Sequence, residues 1–367
     1  MFMGDQSIFW PYDEVRMKGD TQDLNKFYLT CPWLSFQFKI ESPLNLELRS
    51  VIKKLESEMI DQECFQVLNQ VFSQISDYPV AYCLPRKENF GTDTHELQEK
   101  KLNLENPQKS FEDLFPHYKS FAQNQLPAEW SWDVEQTLEF TKTKGGYDPL
   151  SLFSVLRRFH LLNDLEFNET GKLFQHLTDL SNDPEKLKKS TALVLRQNHY
   201  VTTRCKEVLS AAIPIAQSVK KEIEEFIEAE AGHDRIIMKG LKTLNPNPEN
   251  IAVLEASTVL MDLFKFIAQR NLLAFSAVVD VFERTSYREE DPLASILKKE
   301  GMHEASRMVD IHREINDKGD HENVALKFLS AMKPVSREYA IETLRVAELN
   351  TLVVHQNSKM ILEAIKK

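Results

Sequence analysis

From Asp148 to the C-terminus the apolar residues recur three and four positions apart with few interruptions, which is the spacing of amphipathic helices. PLSLFSVLRRFHLLNDL opens the series, with Pro149 suited to a first turn. SNDPEKLKKSTALVLRQNHYVTTRCKEVLSAAI follows as a long helix with Ser181 or Asn182 as its cap, and Pro214 ends or interrupts it. IAQSVKKEIEEFIEAEAGHDRIIMKGLKTL is expected as one helix that stops at the turn NPNPEN. STVLMDLFKFIAQR, LLAFSAVVDVFERTS, LASILKKEGM, EASRMVDIHREIND, ENVALKFLSAM and the terminal SREYAIETLRVAELNTLVVHQNSKMILEAIKK complete the pattern. At least seven helices in roughly 220 residues make one all-α domain, placed at residues 146–367.

Residues 1–145 read differently and form an N-terminal region of mixed, mostly helical character. WLSFQFKI alternates as a short strand does, whereas LELRSVIKKLESEMI and CFQVLNQVFSQIS have helical spacing. HELQEKKLNLENPQKSFEDL is so polar that it reads as a surface excursion or linker. A second break falls at TKTKGGYDP, where Gly-Gly and Asp-Pro punctuate the chain. No residue pattern assigns this region a role; a dimerisation surface (a homodimer) or a substrate-carrier surface are the expectations for it.

Composition narrows the function classes. Only 10 glycines in 367 residues favour helix over sheet and leave no phosphate-cradling loop, and no dinucleotide fingerprint is present. A formal net charge of −11 argues against nonspecific binding to nucleic acid or to an anionic membrane. No apolar run has spanning length, and the start MFMGDQSIFWPYDEV lacks the features of a signal peptide. Cys31, Cys64, Cys83 and Cys205 are scattered without a C-x-x-C pair, so a reducing cytoplasm is the expected setting. Neither G-x-S-x-G nor a Cys-His signature supports nucleophilic catalysis.

The remaining chemistry lies in acids and histidines on separate helical segments. Glu230 and His233 are three apart and would share one face of a continuous helix, beside Phe226, Ile227, Ile237 and Leu241. Glu283 sits at the end of an apolar stretch, where a lone carboxylate is costly to bury unless paired or metal-bound; Asp280 competes for the same role. His312, Asn316, Asp317, Asp320 and His321 form the densest cluster, with Lys318 and Gly319 breaking the helical pattern before His321. Imidazole and carboxylate are good iron ligands and Asn is a poor one. Carboxylates and histidines aimed inward from several helices of a bundle are how di-iron proteins build their sites. A charged surface helix and a polar turn are the competing readings. His199 lies beside Thr202 and Thr203, where a lone histidine is more often structural, and His160, His176, His303 and His355 suggest no partner.

Taken in order, Q-x-x-Y, E-x-x-H before an apolar run, an isolated Glu, and a final His-rich helix resemble the haem-oxygenase-like diiron oxidases and oxygenases, often called iron-containing redox enzymes. EAEAGHDRIIMKGL is similar to their second metal helix, VFERTS to the segment bearing the central Glu, and HREINDKGDH to the last metal helix, over roughly residues 148–335. The resemblance implies a haem-oxygenase-like helical bundle, two non-haem irons and O2 as co-substrate. It further implies oxidation of a small organic substrate, by amine N-oxygenation or by C–C cleavage of an amino or fatty acid, as in small-molecule biosynthesis. The implied ligands are Glu230, His233, Glu283, His312 and His321, with Asp317 or Asp320 as an additional acid and His199 from the first helix, Glu207 being a weaker choice there. No catalytic residue beyond the ligands is implied. Two departures stand out: Asn316 occupies the usual Asp position, and His312 and His321 are two residues farther apart than in the family; a local bulge of the π type would let Asp317 or Asp320 take the acidic role. The alternatives are a non-catalytic helical binding or regulatory protein on the same fold, a thiaminase-like relative using Cys205, or a haem-binding one using His160 or His199.

Overall fold

The computed structural model of the chain describes residues 16–31, 34–56, 67, 70–71, 102–143, 145–283, 291–319, 321, 324–329 and 332–367. A three-stranded antiparallel sheet of β1 (Arg16–Gly19), β2 (Lys26–Cys31) and β3 (Leu34–Lys39) pairs Met17 with Leu29 and Tyr28 with Gln37. Helix α1 (Leu44–Glu56) packs on it through Arg49, which donates to the carbonyls of Asp20 (2.8 Å), Asp23 (3.1 Å) and Leu24 (3.0 Å) and lies over the Phe27 ring. The strand expected in WLSFQFKI and the helix expected in LELRSVIKK are therefore present, whereas most of CFQVLNQVFSQIS lies outside the described residues.

Next come α2 (Pro107–Leu114), α3 (Lys119–Gln123), α4 (Val134–Thr141) and a short hairpin of β4 (Lys142–Thr143) and β5 (Gly146–Tyr147). Helix α2 corrects the linker expected in HELQEKKLNLENPQKSFEDL. Asn106 caps it by accepting from the Lys109 N–H at 2.6 Å, and Phe111 and Leu114 are buried from one face. Two large apolar residues on one stripe suffice, although the polar outer face hides them in the sequence. The hairpin is pinned by paired bonds of 2.9 Å between Tyr147 and Val335, and a side chain at Gly146 would meet the Val335 carbonyl.

The rest is helical: α5 (Pro149–Phe167), α6 (Glu169–Asp179), α7 (Pro184–Ser210), α8 (Lys220–Ala229), α9 (His233–Leu244), α10 (Glu255–Ala268), α11 (Leu272–Glu283), α12 (Pro292–Lys299), α13 (His303–Lys318), α14 (Val324–Leu329) and α15 (Arg337–Lys366). The chain is predominantly helical and all-α in character. Asp183, not Ser181 or Asn182, caps α7, because Leu180–Asn182 is itself a 3-10 turn and only Asp183 reaches the Lys186 N–H (3.1 Å). Helix α7 ends at Ser210, before the turn that contains Pro214.

The core has two parts. The larger gathers α2 to α5, the C-terminal half of α7, α8, α10, α11, α14 and most of α15, so its packing runs across residue 145 without a break. The smaller holds α6, the N-terminal half of α7, α9, α12, Ala305 of α13 and the end of α15. Helices α9 and α13 approach closely where Gly240 faces Met308; a methyl group there would sit 3.0 Å from the Met308 Cβ. Helix α8 belongs to the first core and α9 to the second, so the chain passes through a seam between them at residues 230–232.

Candidate metal centre

The expected single helix through EEFIEAEAGHDRIIMKGL is two helices. Glu230 ends α8 and His233 begins α9, with Gly232 between them at φ +100°, a left-handed conformation that suits glycine. The pair still meets across the kink: His233 Nδ1 lies 3.2 Å from Glu230 Oε2, and both side chains are buried.

Glu283 arrives from the last turn of α11, and His321 from the short segment between α13 and α14. His321 Nδ1 is 3.0 Å from Glu283 Oε2 and 3.1 Å from Glu230 Oε1. Glu230 thus presents one oxygen to His321 and the other to His233. Ligand atoms of Glu230, Glu283 and His321 all lie within 4.8 Å of one another, which is close enough to share one ion. His312 comes from α13 with its ring 5.0 Å from that of His233, edge to face, and the His233 ring lies 5.7 Å from the His321 ring. Phe226 packs against the His321 ring edge at 5.2 Å. Asn316, one turn along α13 from His312, is half-buried and its Oδ1 has no hydrogen-bond partner.

The His321 approach depends on Gly319. Helix α13 ends at Lys318, and the Gly319 N–H donates to the Ile315 carbonyl at 2.9 Å. A side chain on Gly319 would come within 2.5 Å of His321 Cδ2 and Nε2. The extra length between His312 and His321 is thus absorbed by stopping the helix at a glycine. The helix is regular through Lys318. Asp320 and the side chain of Asp317 lie outside the described residues.

His199 is not brought to this cluster. Its Nδ1 is 3.2 Å from an Arg196 nitrogen and its Nε2 3.5 Å from Thr203, and burial together with the Arg196 charge lowers its pKa. The Glu207 carboxylate is also occupied elsewhere, by Arg204 and Lys265. The α7 residue that feels the centre is Cys205. Burial, and then the charges of Glu230 and Glu283, push its thiol up. That keeps the thiol protonated and removes support from a thiaminase-like nucleophile. Asp280, the competitor of Glu283, turns to Arg157 in a buried ion pair of 2.9 Å.

Electrostatics tie the cluster together. Burial alone would raise the Glu230 carboxyl, but the imidazoles of His233 and His321 outweigh it and hold it down at about 2. Glu283 is raised by burial and by the Glu230 charge, although His321 pulls the other way. Burial disfavours a charged His321, yet the two carboxylates outweigh it and lift it to about 9. His312, buried and facing His233, falls to about 4.

Several of these groups lack hydrogen bonds. Glu230 Oε1, both ring nitrogens of His233, and His321 Nε2 are buried and unpartnered. The short contacts between His233, His321 and Glu230 are off the line a hydrogen bond needs. Unpartnered buried polar atoms cost ~1–3 kcal/mol each, a cost that an ordered water or a bound ion removes. Two carboxylates and imidazole nitrogens suit a divalent transition metal, and the residues present fit one.

No family model matches the chain, and no curated protein or solved structure matches it.

Proposed function

We propose that this chain is a non-haem diiron oxidase or oxygenase, on a haem-oxygenase-like bundle, that uses O2 to oxidise a small organic molecule. The observation that supports the reading is the convergence in the seam of Glu230, Glu283, His321, His233 and His312, with buried nitrogen and oxygen atoms that no protein group satisfies. Glu230, Glu283 and His321 would hold one iron. His233 and His312 would hold the other and share Glu230, whose two oxygens face the two halves of the site. Asn316 is a weak candidate there, beside the acids Asp317 and Asp320.

When bound, iron supplies the redox chemistry with O2, and the chain supplies everything else. Glu230 and Glu283 neutralise positive charge. Phe226 shields the His321 ring from water. His321 carries a proton between the two carboxylates, and that proton must leave when a metal takes its place. The rival reading, a metal-free helical binding protein, has one observation in its favour: a protonated His321 by itself bridges Glu230 and Glu283. It leaves both His233 nitrogens without a partner.

The test is anaerobic reconstitution of the full chain with Fe(II), followed by elemental analysis and O2 uptake. Iron well above one equivalent, with iron-dependent O2 uptake, is the expected outcome. A chain that retains no iron overturns the proposal and leaves the binding-protein reading.

A further inference from the structure

Glu283 is the last residue of α11, a helix with few polar groups to hold it in register. Leu272 to Asp280 are all buried, and from Leu272 to Val279 the single polar side chain is Ser276. Its hydroxyl donates to the Leu272 carbonyl of the same helix at 2.8 Å and so fixes nothing outside it. The start of α11 is anchored: the Leu272 N–H donates to the Tyr339 hydroxyl at 2.8 Å, and the Asn271 amide donates to Thr343 Oγ1 at 2.9 Å. Glu283 lies roughly 16 Å further along the axis. Burial of apolar surface is non-directional, and a few degrees of winding per residue fall within the ordinary scatter of helical dihedrals. Over this length they would turn the end of the helix by about 30°, which moves a carboxylate at the helix surface by about 3 Å. The 3.0 Å contact of Glu283 Oε2 with His321 Nδ1 would not survive that.

One turn before Glu283, Asp280 meets Arg157 of α5. Arg157 Nη2 lies 2.9 Å from Asp280 Oδ1 and Nε donates to Oδ2 at 3.2 Å, with the two side chains only 8% and 2% exposed. The Phe153 ring, its centroid 5.9 Å from the guanidinium carbon, supports Arg157 from its own helix. On the metal-centre reading above, we propose that Arg157 and Asp280 are positioning residues: their two-point contact sets the rotation of the last turn of α11 and so aims Glu283 at His321. Asp280 and Glu283 are three apart on one helix, so what moves one moves the other. A forked contact fixes direction as well as distance, which a point charge does not. A buried ion pair contributes little net stability compared with apolar residues of the same volume, and setting register is the better-attested use of such a group. Phe282 stacks on Phe264 from the same turn with centroids 5.4 Å apart. Flat rings pack offset as readily as centred, so that contact sets spacing and leaves rotation open.

The test replaces the pair by apolar residues in the full chain, Arg157→Met together with Asp280→Leu, and uses Co(II) as the probe. The thermal midpoint should match or exceed that of the wild type, while Co(II) binds about 10–100-fold more weakly and with a changed visible spectrum. Arg157→Lys keeps the charge without the fork, should weaken Co(II) by a smaller factor, and stands in if the apolar pair does not fold. In metal-free protein the imidazole resonances of His321 should move in both variants, and those of His312, which lies on α13, should stay. Wild-type Co(II) affinity and spectrum in the apolar-pair variant, or in Arg157→Lys where that variant does not fold, would overturn the proposal in favour of a purely structural pair. Resonances of His321 and His312 that shift together would also overturn it, in favour of general loosening. A wild-type chain that binds no Co(II) counts against the metal-centre reading; the His321 resonances then decide by themselves, a selective shift supporting the aiming of Glu283 and no shift overturning it.

Discussion

Two sets of buried acids run through this bundle, and their neighbours treat them differently. On α15, Glu348 is fully buried and accepts from the Ser131 N–H (2.6 Å), the Ser131 hydroxyl (2.9 Å) and Arg345 (2.9 Å), while Glu342 is paired with Arg270. Every carboxylate oxygen there has a donor from the protein, and the Glu348 group fastens the segment before α4 to the last helix. In the seam, Glu230 and Glu283 share His321, and His233 lies 3.2 Å from Glu230 with neither ring nitrogen hydrogen-bonded. The first arrangement is complete as folded. The second leaves buried polar atoms without hydrogen bonds, and the proposed metal would satisfy them.

The sharpest way to break this comparison is to remove one group from each set. His321→Ala should abolish iron retention and destabilise the metal-free chain by about 3–5 kcal/mol, because it leaves two buried carboxylates facing each other. Glu348→Gln should cost about 1–3 kcal/mol by denaturant titration and leave iron stoichiometry unchanged. Loss of iron in the Glu348 variant, or its retention without His321, would mean that the two sets do not differ in kind.

Next in size is the effect of the glycine beneath His321. Gly319→Ala should lower iron affinity by about 10–100-fold, as displaced support for a ligand does, with circular dichroism unchanged. Gly232→Ala has open space for its methyl group and pays only for backbone, so about 1–2 kcal/mol of stability should be lost. Iron affinity that falls more in the Gly232 variant than in the Gly319 variant would contradict the placement of His321.

The pH dependence of metal-free protein tests the charges of the seam. His321 is raised to about 9, so its contribution is full below pH ~6.5 and is lost as pH rises through about 9. His312 is lowered to about 4; between there and pH ~6.5 the unfolded chain holds a proton that the folded chain does not, so stability falls as pH drops through that range. Glu230, held at about 2, contributes above pH ~4.3 and loses that contribution as pH falls towards 2. Stability should therefore peak near pH 6.5. His312→Ala should make the acid limb shallower between pH 4 and 6.5, where His355, lowered to about 4 by burial, still contributes, and leave the alkaline limb intact, as read from thermal midpoints across buffers. The smallest effect is expected at Asn316. Asn316→Ala should change iron stoichiometry little, whereas Asn316→Asp should tighten the second equivalent.

The helices of the C-terminal part were legible because burial of one stripe imposes a period on the sequence, and Glu230, His233, Glu283, His312 and His321 stood out as acids and histidines beside such stripes. The α2 helix was not legible, since Phe111 and Leu114 alone mark its buried face. Nor was the break between α8 and α9. Helical spacing continues through Glu230–Gly232, and only the need to serve two cores forces the left-handed glycine. His199, the least certain of the implied ligands, turns to Arg196.

The sequence by itself determined where helices form, that the chain is all-α, and which residues carry ligand chemistry, because those follow from local periodicity and residue type. Tertiary structure alone decided that Glu230 faces both His233 and His321, that Asp280 belongs to Arg157 and not to the centre, and that Gly319 makes room for an imidazole. Of these, the Glu230–His321 and Arg157–Asp280 contacts join segments far apart in the chain, and the local ones depend on where the helices stop. Their selection rests on which polar groups the packed cores leave unsatisfied, a property that exists only once the helices are assembled.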